Sequence, residues 1–284
     1  MKILIVFNRS KIEEFVKEGI FSVILNEDEI DFFLLEKDYE IISKFIDKDL
    51  KINILSSEDG ISKKIDFIFS IGGDGTVLKA VREINYPQIP IVGLKKGKLG
   101  FLTFDDIYNI DKIIKKLKKK EFFIEKRKLL EINFKGKKQF ALNDVVIERE
   151  DLARMIHINV YVNGEFFTTY YSNGIIISTP TGSTAYNLSA GGPITSPELD
   201  CFILTPICPH SLIHRPIIFD KKTTLSFKTL DKNIDPVLTL DGQVAKRIKE
   251  NDKIEITLSE KYILLVRDLS QKFPFVLKEK FDWR

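Results

Sequence analysis

Gly72-Gly73-Asp74-Gly75-Thr76 sets one carboxylate among three glycines, directly after the apolar run Ile65 to Ile71 and directly before a helical pattern of Val77, Leu78, Ala80, Val81 and Ile84. Glycines let a backbone turn sharply and approach a ligand, and the free N–H groups of a following helix suit phosphate. Phosphate repels a carboxylate. Asp74 therefore makes chemical sense as the acceptor of a proton from an attacking hydroxyl, while neighbouring amides hold the phosphoryl group. The plainer reading is an Asp-Gly turn that only joins strand to helix. Neither the dinucleotide spacing G-x-G-x-x-G nor the Gly-Lys-Ser/Thr of a P-loop occurs here.

A second segment, Ile177-Ser178-Thr179-Pro180-Thr181-Gly182-Ser183-Thr184-Ala185-Tyr186-Asn187-Leu188-Ser189-Ala190-Gly191-Gly192-Pro193, follows the apolar run that begins at Gly174. It offers short hydroxyl donors, close backbone and one aromatic face in Tyr186, a combination that can hold an adenine.

These loops need elements to hold them. Met1 to Phe7, Ile65 to Ile71 and Ile89 to Leu94 read as buried strands of a parallel sheet, and strand, glycine loop, helix, strand is a βαβ unit. Ile110 to Glu121 is an amphipathic helix with Ile113, Ile114 and Leu117 on one face, and Lys116 and Lys118 to Lys120 in its last turn, where cations suit the helix dipole. That lysine run reads as a solvated face.

Beyond residue 121 the pattern changes to period two or short apolar runs: Leu129 to Phe134, Phe140 to Ile147, His157 to Val162, Gly174 to Ser178, Phe202 to Thr205, Thr223 to Phe227, Val237 to Leu240 and Lys253 to Leu258. Lys135-Gly136 and Asn163-Gly164 are the turn signals between them. The expected fold class is α/β plus all-β. One domain comprises residues 1–120 with a returning tail of about 261–284, and an all-β domain comprises 121–260.

The 284 residues carry 44 Lys and Arg against 41 Asp and Glu, which leaves +3 spread through the chain. No basic field points to nucleic acid. Cys201 and Cys208 are too few for a disulfide scaffold or zinc site, read as packing residues, and fit a reducing interior. The short run Ile3 to Phe7 leads at once into Asn8, Arg9 and Ser10, so neither a signal peptide nor a membrane span is expected, and a cytoplasmic location is. His157, His210 and His214 show no ligand spacing and read as polar packing residues.

Asp74 and its glycines resemble the signature shared by NAD kinases, diacylglycerol and sphingosine kinases, and 6-phosphofructokinases. The 177–193 segment is similar, almost letter for letter, to the NAD kinase signature. Gly97-Lys98-Leu99-Gly100-Phe101-Leu102-Thr103, Ala141-Leu142-Asn143-Asp144-Val145-Val146, Leu240-Asp241-Gly242-Gln243 and Lys280-Phe281-Asp282-Trp283 extend the resemblance along the chain.

The resemblance implies a Rossmann-like N-terminal domain, a C-terminal β-sandwich, and transfer of the terminal phosphoryl group of ATP or polyphosphate to the 2′-hydroxyl of the adenosine ribose of NAD, with Mg²⁺ or another divalent cation accompanying ATP. It implies Asp74 as the base with Gly75 beside it, Phe101 lining the adenine pocket, and Asn143 and Asp144 holding the ribose and the adenine edge. Thr181, Thr184, Ala185, Tyr186 and Ser189 would contact adenine and the nicotinamide end, Asn187 and Leu188 would complete the loop, and Arg154, Asn173 and Gln243 would line the same pocket. No metal-ligating side chains are implied. A homodimer or homotetramer is, because a neighbouring subunit completes the nicotinamide pocket in that family.

Three residues depart from the family pattern: Asp144 stands where Glu is usual, Asn173 where Asp is more frequent, and Lys95-Lys96 where Asn is frequent. Loss of a negative charge at Asn173 implies a weaker preference for oxidised NAD over NADH, which competition between the two cofactors reads out. Lys95 and Lys96 are two cations near a phosphate loop. The rivals are a lipid or sugar kinase of the same superfamily and a non-catalytic NAD-binding regulator, whose mark would be a missing Asp74.

Overall fold

The structure is a computed structural model that describes residues 1–21, 29–45, 52–55, 61, 65–97, 100–150, 154–230, 236–250 and 252–283. Lys98 and Leu99 of the second glycine loop lie outside the described residues. The chain forms two compact units, 1–126 with 263–284, and 127–262.

In the first unit, β1 (Lys2–Phe7), β2 (Asp31–Leu35), β3 (Ile52–Leu55), β4 (Phe67–Ile71) and β5 (Pro90–Lys95) pair side by side in the order β5-β4-β1-β2-β3, all parallel, and the two-residue β6 (Asp105–Asp106) pairs in parallel with the end of β5. Ile3 to Phe7 are all buried, as a strand covered on both faces requires. The helices here are α1 (Ile12–Lys17), α2 (Glu36–Ile42), α3 (Asp74–Glu83) and α4 (Ile110–Lys119). The lysine-rich helix α4 buries Ile110, Ile113, Ile114 and Leu117, and Lys118 reaches Glu29 at 2.7 Å.

The strand order reverses between β1 and β4. In open α/β sheets such a reversal opens a crevice at the carboxyl ends of the strands. Asn8 and Gly72 follow β1 and β4 at that edge: the Asn8 N–H donates to the Ile71 carbonyl at 3.0 Å and the Gly72 N–H to the Leu94 carbonyl at 2.8 Å.

The second unit is a sandwich of antiparallel sheets. Its strands are β7 (Phe123–Phe134, which enters from the first unit), β8 (Lys137–Ala141), β9 (Asp144–Glu148), β10 (Ile156–Val162), β11 (Glu165–Ser172), β12 (Gly174–Ser178), β13 (Cys201–Ile207), β14 (Ile217–Asp220), β15 (Thr224–Thr229), β16 (Val237–Leu240), β17 (Val244–Arg247) and β18 (Ile254–Arg267). One sheet runs β14-β13-β12-β9-β16-β17, and in the other β11, β10, β15 and the first residues of β18 are neighbours. Val145, Ile147, Ile175 and Ile177 from one sheet share a core with Ile158, Val160, Leu225 and Ile256 from the other. This is the period-two pattern of two packed faces. The turns Lys135-Gly136 and Asn163-Gly164 have positive φ at both residues, as tight hairpins demand. The last residues of β18 belong to the first unit, where Leu264 and Leu265 pair in parallel with Pro90 and Ile91, and helix α5 (Phe273–Lys280) follows.

The structure corrects the sequence reading in several places. The expected strand Phe140 to Ile147 is two strands, because the Asp241 carboxylate takes the N–H groups of Leu142, Asn143 and Asp144 and breaks the ladder there. Strands β2, β3, β11, β14 and β17 lie outside the expected runs: β2, β11 and β14 mix charged and aromatic residues with apolar ones, and β3 and β17 are only four residues long. Cys201 is buried, but Cys208 is exposed rather than packed. The three histidines pack on two tyrosines: His157 stacks on Tyr171 at 4.3 Å, His210 lies 5.5 Å from Tyr171, and His214 lies 4.4 Å from Tyr170. No helix among the described residues is long and apolar enough to cross a membrane.

Candidate active site

The first group of candidate residues grows from the carboxyl edge of the parallel sheet. Gly73 has φ 118° and ψ −172°, a conformation open only to glycine, and caps helix α3 so that Asp74 is its first residue. Thr76, Val77, Ala80 and Val81 anchor that helix in the core. The Asp74 carboxylate is held at both oxygens, accepting the N–H of Phe101 at 2.9 Å and of Leu102 at 3.0 Å. Gly100 makes this possible, because a Cβ there would lie 2.0 Å from Asp74 Oδ1. The loop is closed on the other side by the Gly100 N–H donating to Thr103 Oγ1 at 2.6 Å.

Phe101 is half-buried and belongs to an aromatic group with the end of the chain. Its ring lies 6.1 Å from that of Phe281, which stacks on Trp283 at 5.3 Å, and the Lys280 ammonium lies 5.7 Å above Phe101. Sequence matching singled out both segments without indicating that they touch. Gly75 is exposed at the first turn of α3.

The second group converges at one end of the antiparallel sheet β14-β13-β12-β9-β16-β17. Register sets Ser178 of β12 opposite Asp144 of β9, and Leu240 of β16 opposite Val145. Asn143-Asp144, the start of the hydroxyl-rich loop and Asp241 therefore meet. Thr179 locks them: its N–H donates to the Asn143 carbonyl at 2.9 Å and its hydroxyl to the Leu142 carbonyl at 2.6 Å, while Gly182 N–H returns to Thr179 Oγ1 at 3.0 Å. Gly182 must be glycine, since a Cβ would lie 2.1 Å from the Asn143 carbonyl oxygen.

Asp241 binds three consecutive amides, at 3.0 Å (Leu142), 2.7 Å (Asn143) and 3.2 Å (Asp144). Together with burial, the same residue makes its neighbour a weaker acid. Burial, the Asp241 carboxylate and then that of Glu148 push the Asp144 carboxyl up to about 7. Two carboxylates in a dry corner disfavour double ionisation.

From there the loop passes along the outer face of the sheet. Ala190 packs on Val146, Ile176 and Ile207. The exposed Tyr186 has its hydroxyl pKa raised by burial first, then by the charges of Glu148, Cys208 and Asp144. Asn187 is fully buried and holds the loop's shape: its amide donates to the Ser183 and Pro193 carbonyls at 3.3 and 3.1 Å and accepts from Thr205 Oγ1 at 2.6 Å. Thr181 is buried with its hydroxyl 3.3 Å from Arg127 Nη1, Thr184 bonds back to the Thr181 carbonyl at 3.4 Å, Ala185 and Leu188 are half-buried, and Ser189 is exposed.

Asn173 stands at the other end of β12 from Ser178, its N–H on the Ile207 carbonyl and its carbonyl accepting from Arg149 N–H. The five-residue strand puts these two ends roughly 15 Å apart. Gln243 is exposed beyond Asp241. Arg154 is exposed ahead of β10 and has no hydrogen bond to this group among the described residues. Sequence reasoning missed the roles of Gly100, Asp241 and Glu148. The first two stand inside quoted motifs, but which carboxylate or amide they serve is a matter of tertiary position.

The profile of the ATP-NAD kinase N-terminal domain matches residues 4–122, and that of the ATP-NAD kinase C-terminal domain matches residues 142–268. The chain is 40% identical over 227 residues to an NAD kinase of Sulfurimonas denitrificans, covering 78% of this chain and 79% of that one. It is 36% identical over 248 residues to an NAD kinase of Geotalea daltonii, covering 86% and 87%. Among solved structures, a yeast NADH kinase complexed with NADH superposes with a TM-score of 0.85 at 25% identity, covering 100% of this chain and 88% of that one. An NAD kinase from Archaeoglobus fulgidus in complex with ATP superposes with a TM-score of 0.74 at 25% identity, covering 98% of each.

Two predictions test this geometry. In Gly100→Ala the new methyl displaces the Asp74 carboxylate, so the amides of Phe101 and Leu102 lose their acceptors and the protein loses about 2 kcal/mol; hydrogen exchange at those two amides is then at least about tenfold faster, and unchanged protection would refute the contact. The second concerns pH. An unfolded Asp titrates near 3.9 and Asp144 in the native state near 7, so its favourable share of stability is complete below about pH 4 and is lost as pH rises through 7. Melting curves of Asp144→Asn should fall less between pH 5 and pH 8 than those of the wild type; parallel curves would contradict the shift.

Proposed function

The chain belongs to the NAD kinase family and phosphorylates NAD to NADP with ATP, and from that premise we propose how its own residues do so. The observation that carries the assignment is the Asp74 carboxylate, fixed by two backbone amides at the start of a helix behind paired glycines. Asp74 takes the proton of the adenosine ribose 2′-hydroxyl. As that O–H bond breaks, the oxygen bonds to the terminal phosphorus of ATP and the bond from that phosphorus to the bridging oxygen breaks, leaving ADP, NADP and one proton. The N–H groups at the start of α3 receive phosphate oxygens. Phe101 offers an aromatic wall for the adenine.

Asn143 and Asp144 hold the ribose and the adenine edge. Thr181, Thr184, Ala185, Tyr186 and Ser189 line the dinucleotide, with Asn187 and Leu188 shaping the loop that presents them. Asn173 serves the nicotinamide end, and Arg154 and Gln243 act at the rim. What supports this is the course of the loop along the sheet from Asp144 toward Glu148 and Asn173, a length suited to a ligand with two separate ends. Asp144, one methylene shorter than Glu, reaches its sugar hydroxyl directly or through a water.

A divalent cation, Mg²⁺ in the first place, accompanies ATP and neutralises phosphate charge when bound. The cation would be carried by the phosphates of the nucleotide, beside the Asp74 carboxylate at the loop. The enzyme works in the cytoplasm, as its free cysteines suit. It assembles as a homodimer or homotetramer through the second unit, whose Leu212 and Ile213 are 84% and 83% exposed between His210 and His214, which lie on Tyr171 and Tyr170 of β11, a strand that also exposes Phe166 and Phe167. Apolar groups so bare mark an interface.

Purified protein with NAD, ATP and Mg²⁺ should yield NADP, read by an NADP-specific dehydrogenase. Asp74→Asn should lower kcat by roughly 10²–10⁴-fold, the scale for a general base; a variant within about threefold of wild type would remove the role. Light scattering should give two or four chains per particle, and Leu212→Glu with Ile213→Glu should shift it toward one; a monomeric wild type would contradict the assembly.

A further inference from the structure

Lys95 ends strand β5 and Lys96 follows it, beside the glycine loop, and the structure treats them differently. Lys96 is spent on carboxylates, pairing with Glu14 at 2.6 Å and with Glu18. Lys95 lies across the loop itself. A Cβ built on Gly73 would sit 3.5 Å from Lys95 Cδ, 3.7 Å from Cγ and 3.8 Å from Cε. One further C–N bond of about 1.5 Å puts its ammonium within roughly 5 Å of that point. The backbone fixes this placement, because Leu94 is in register with Ile71 and accepts the Gly72 N–H at 2.8 Å.

Lys95 is half-buried, and among the described residues its ammonium has no carboxylate or hydrogen-bond partner. A lysine readily lays its methylenes on apolar or bare backbone surface while its head seeks a counter-charge. Here the surface is Gly73, bare because it is glycine and glycine because of its φ of 118°. The counter-charge is supplied by whatever the loop binds. We propose that Lys95 is a binding residue of the phosphate donor, its ammonium contacting the phosphate tail of ATP beside the start of α3, and that Lys96 takes no part. This rests on the kinase reading and adds to it a residue specific to the polyanion rather than to the dinucleotide. As a point charge on a flexible stem, Lys95 suits any linear tri- or polyphosphate.

The test compares Lys95→Met, which keeps the stem and removes the charge, with Lys95→Arg and Lys96→Met. Expected for Lys95→Met is a KM for ATP raised about tenfold or more with KM for NAD within twofold, most of the loss recovered in Lys95→Arg, and Lys96→Met like wild type. Calorimetric titration with ATP and with inorganic tripolyphosphate, without NAD, should show the same tenfold weakening for both ligands and a shallower dependence on salt. Circular dichroism and melting curves confirm that each variant is folded. An ATP affinity within twofold of wild type in Lys95→Met, or an equal loss in Lys96→Met, overturns the proposal while leaving NADP formation by the wild type in place. If the wild type forms no NADP, the kinase reading falls, and the titrations still decide whether Lys95 holds phosphate.

Discussion

The first unit is organised around a carboxylate held by backbone. Asp74 accepts from the Phe101 and Leu102 amides, bonds that leave each oxygen with a free lone pair and leave the side chain little freedom to turn. Everything near it can be read as a condition for that contact. Gly73 allows the sharp entry into α3, Gly100 leaves space for the carboxylate, and the strand order puts both loops at the carboxyl edge of the sheet. A base positioned beforehand spares the reaction the entropy of finding it.

The second unit solves a different problem with the same means. Asp241 gathers three consecutive amides of the 142–144 corner and so interrupts what would otherwise be one long strand. The interruption turns Asp144 into a buried acid near neutrality. Thr179, Gly182 and Asn187 then fix the hydroxyl-rich loop against that corner. Most of the hydroxyls and amides in the loop serve the loop itself, which leaves its exposed members, Tyr186 and Ser189, to meet solvent or ligand.

Much of this was legible in the sequence. The glycine cluster with its single acid, the apolar runs Ile3 to Phe7 and Ile65 to Ile71, and the helix with Ile113, Ile114 and Leu117 follow from periodicity and turn chemistry. The lettering of 177–193 pointed to the family. What was not legible depends on contacts between residues far apart in the chain. Nothing in Gly100 announces that its missing Cβ makes room for Asp74. Nothing in Asp241 announces the amides of 142–144, and so the break after Ala141 was missed. Phe281 and Trp283 were matched as a motif, yet their packing on Phe101 appears only when the end of the chain is seen folded into the first unit. The histidines illustrate the same limit, since spacing along the chain did not foretell their meeting around Tyr170 and Tyr171.

The central claim is that the Asp74 carboxylate takes the proton of the hydroxyl that is phosphorylated. It is tested most directly by a crystal structure of the protein with NAD and a non-hydrolysable ATP analogue. The account predicts a carboxylate oxygen of Asp74 within hydrogen-bond reach, about 2.6–3.2 Å, of the adenosine ribose 2′-oxygen, with the Phe101 and Leu102 amides still in place. A 2′-oxygen that Asp74 cannot reach even through one water would contradict it.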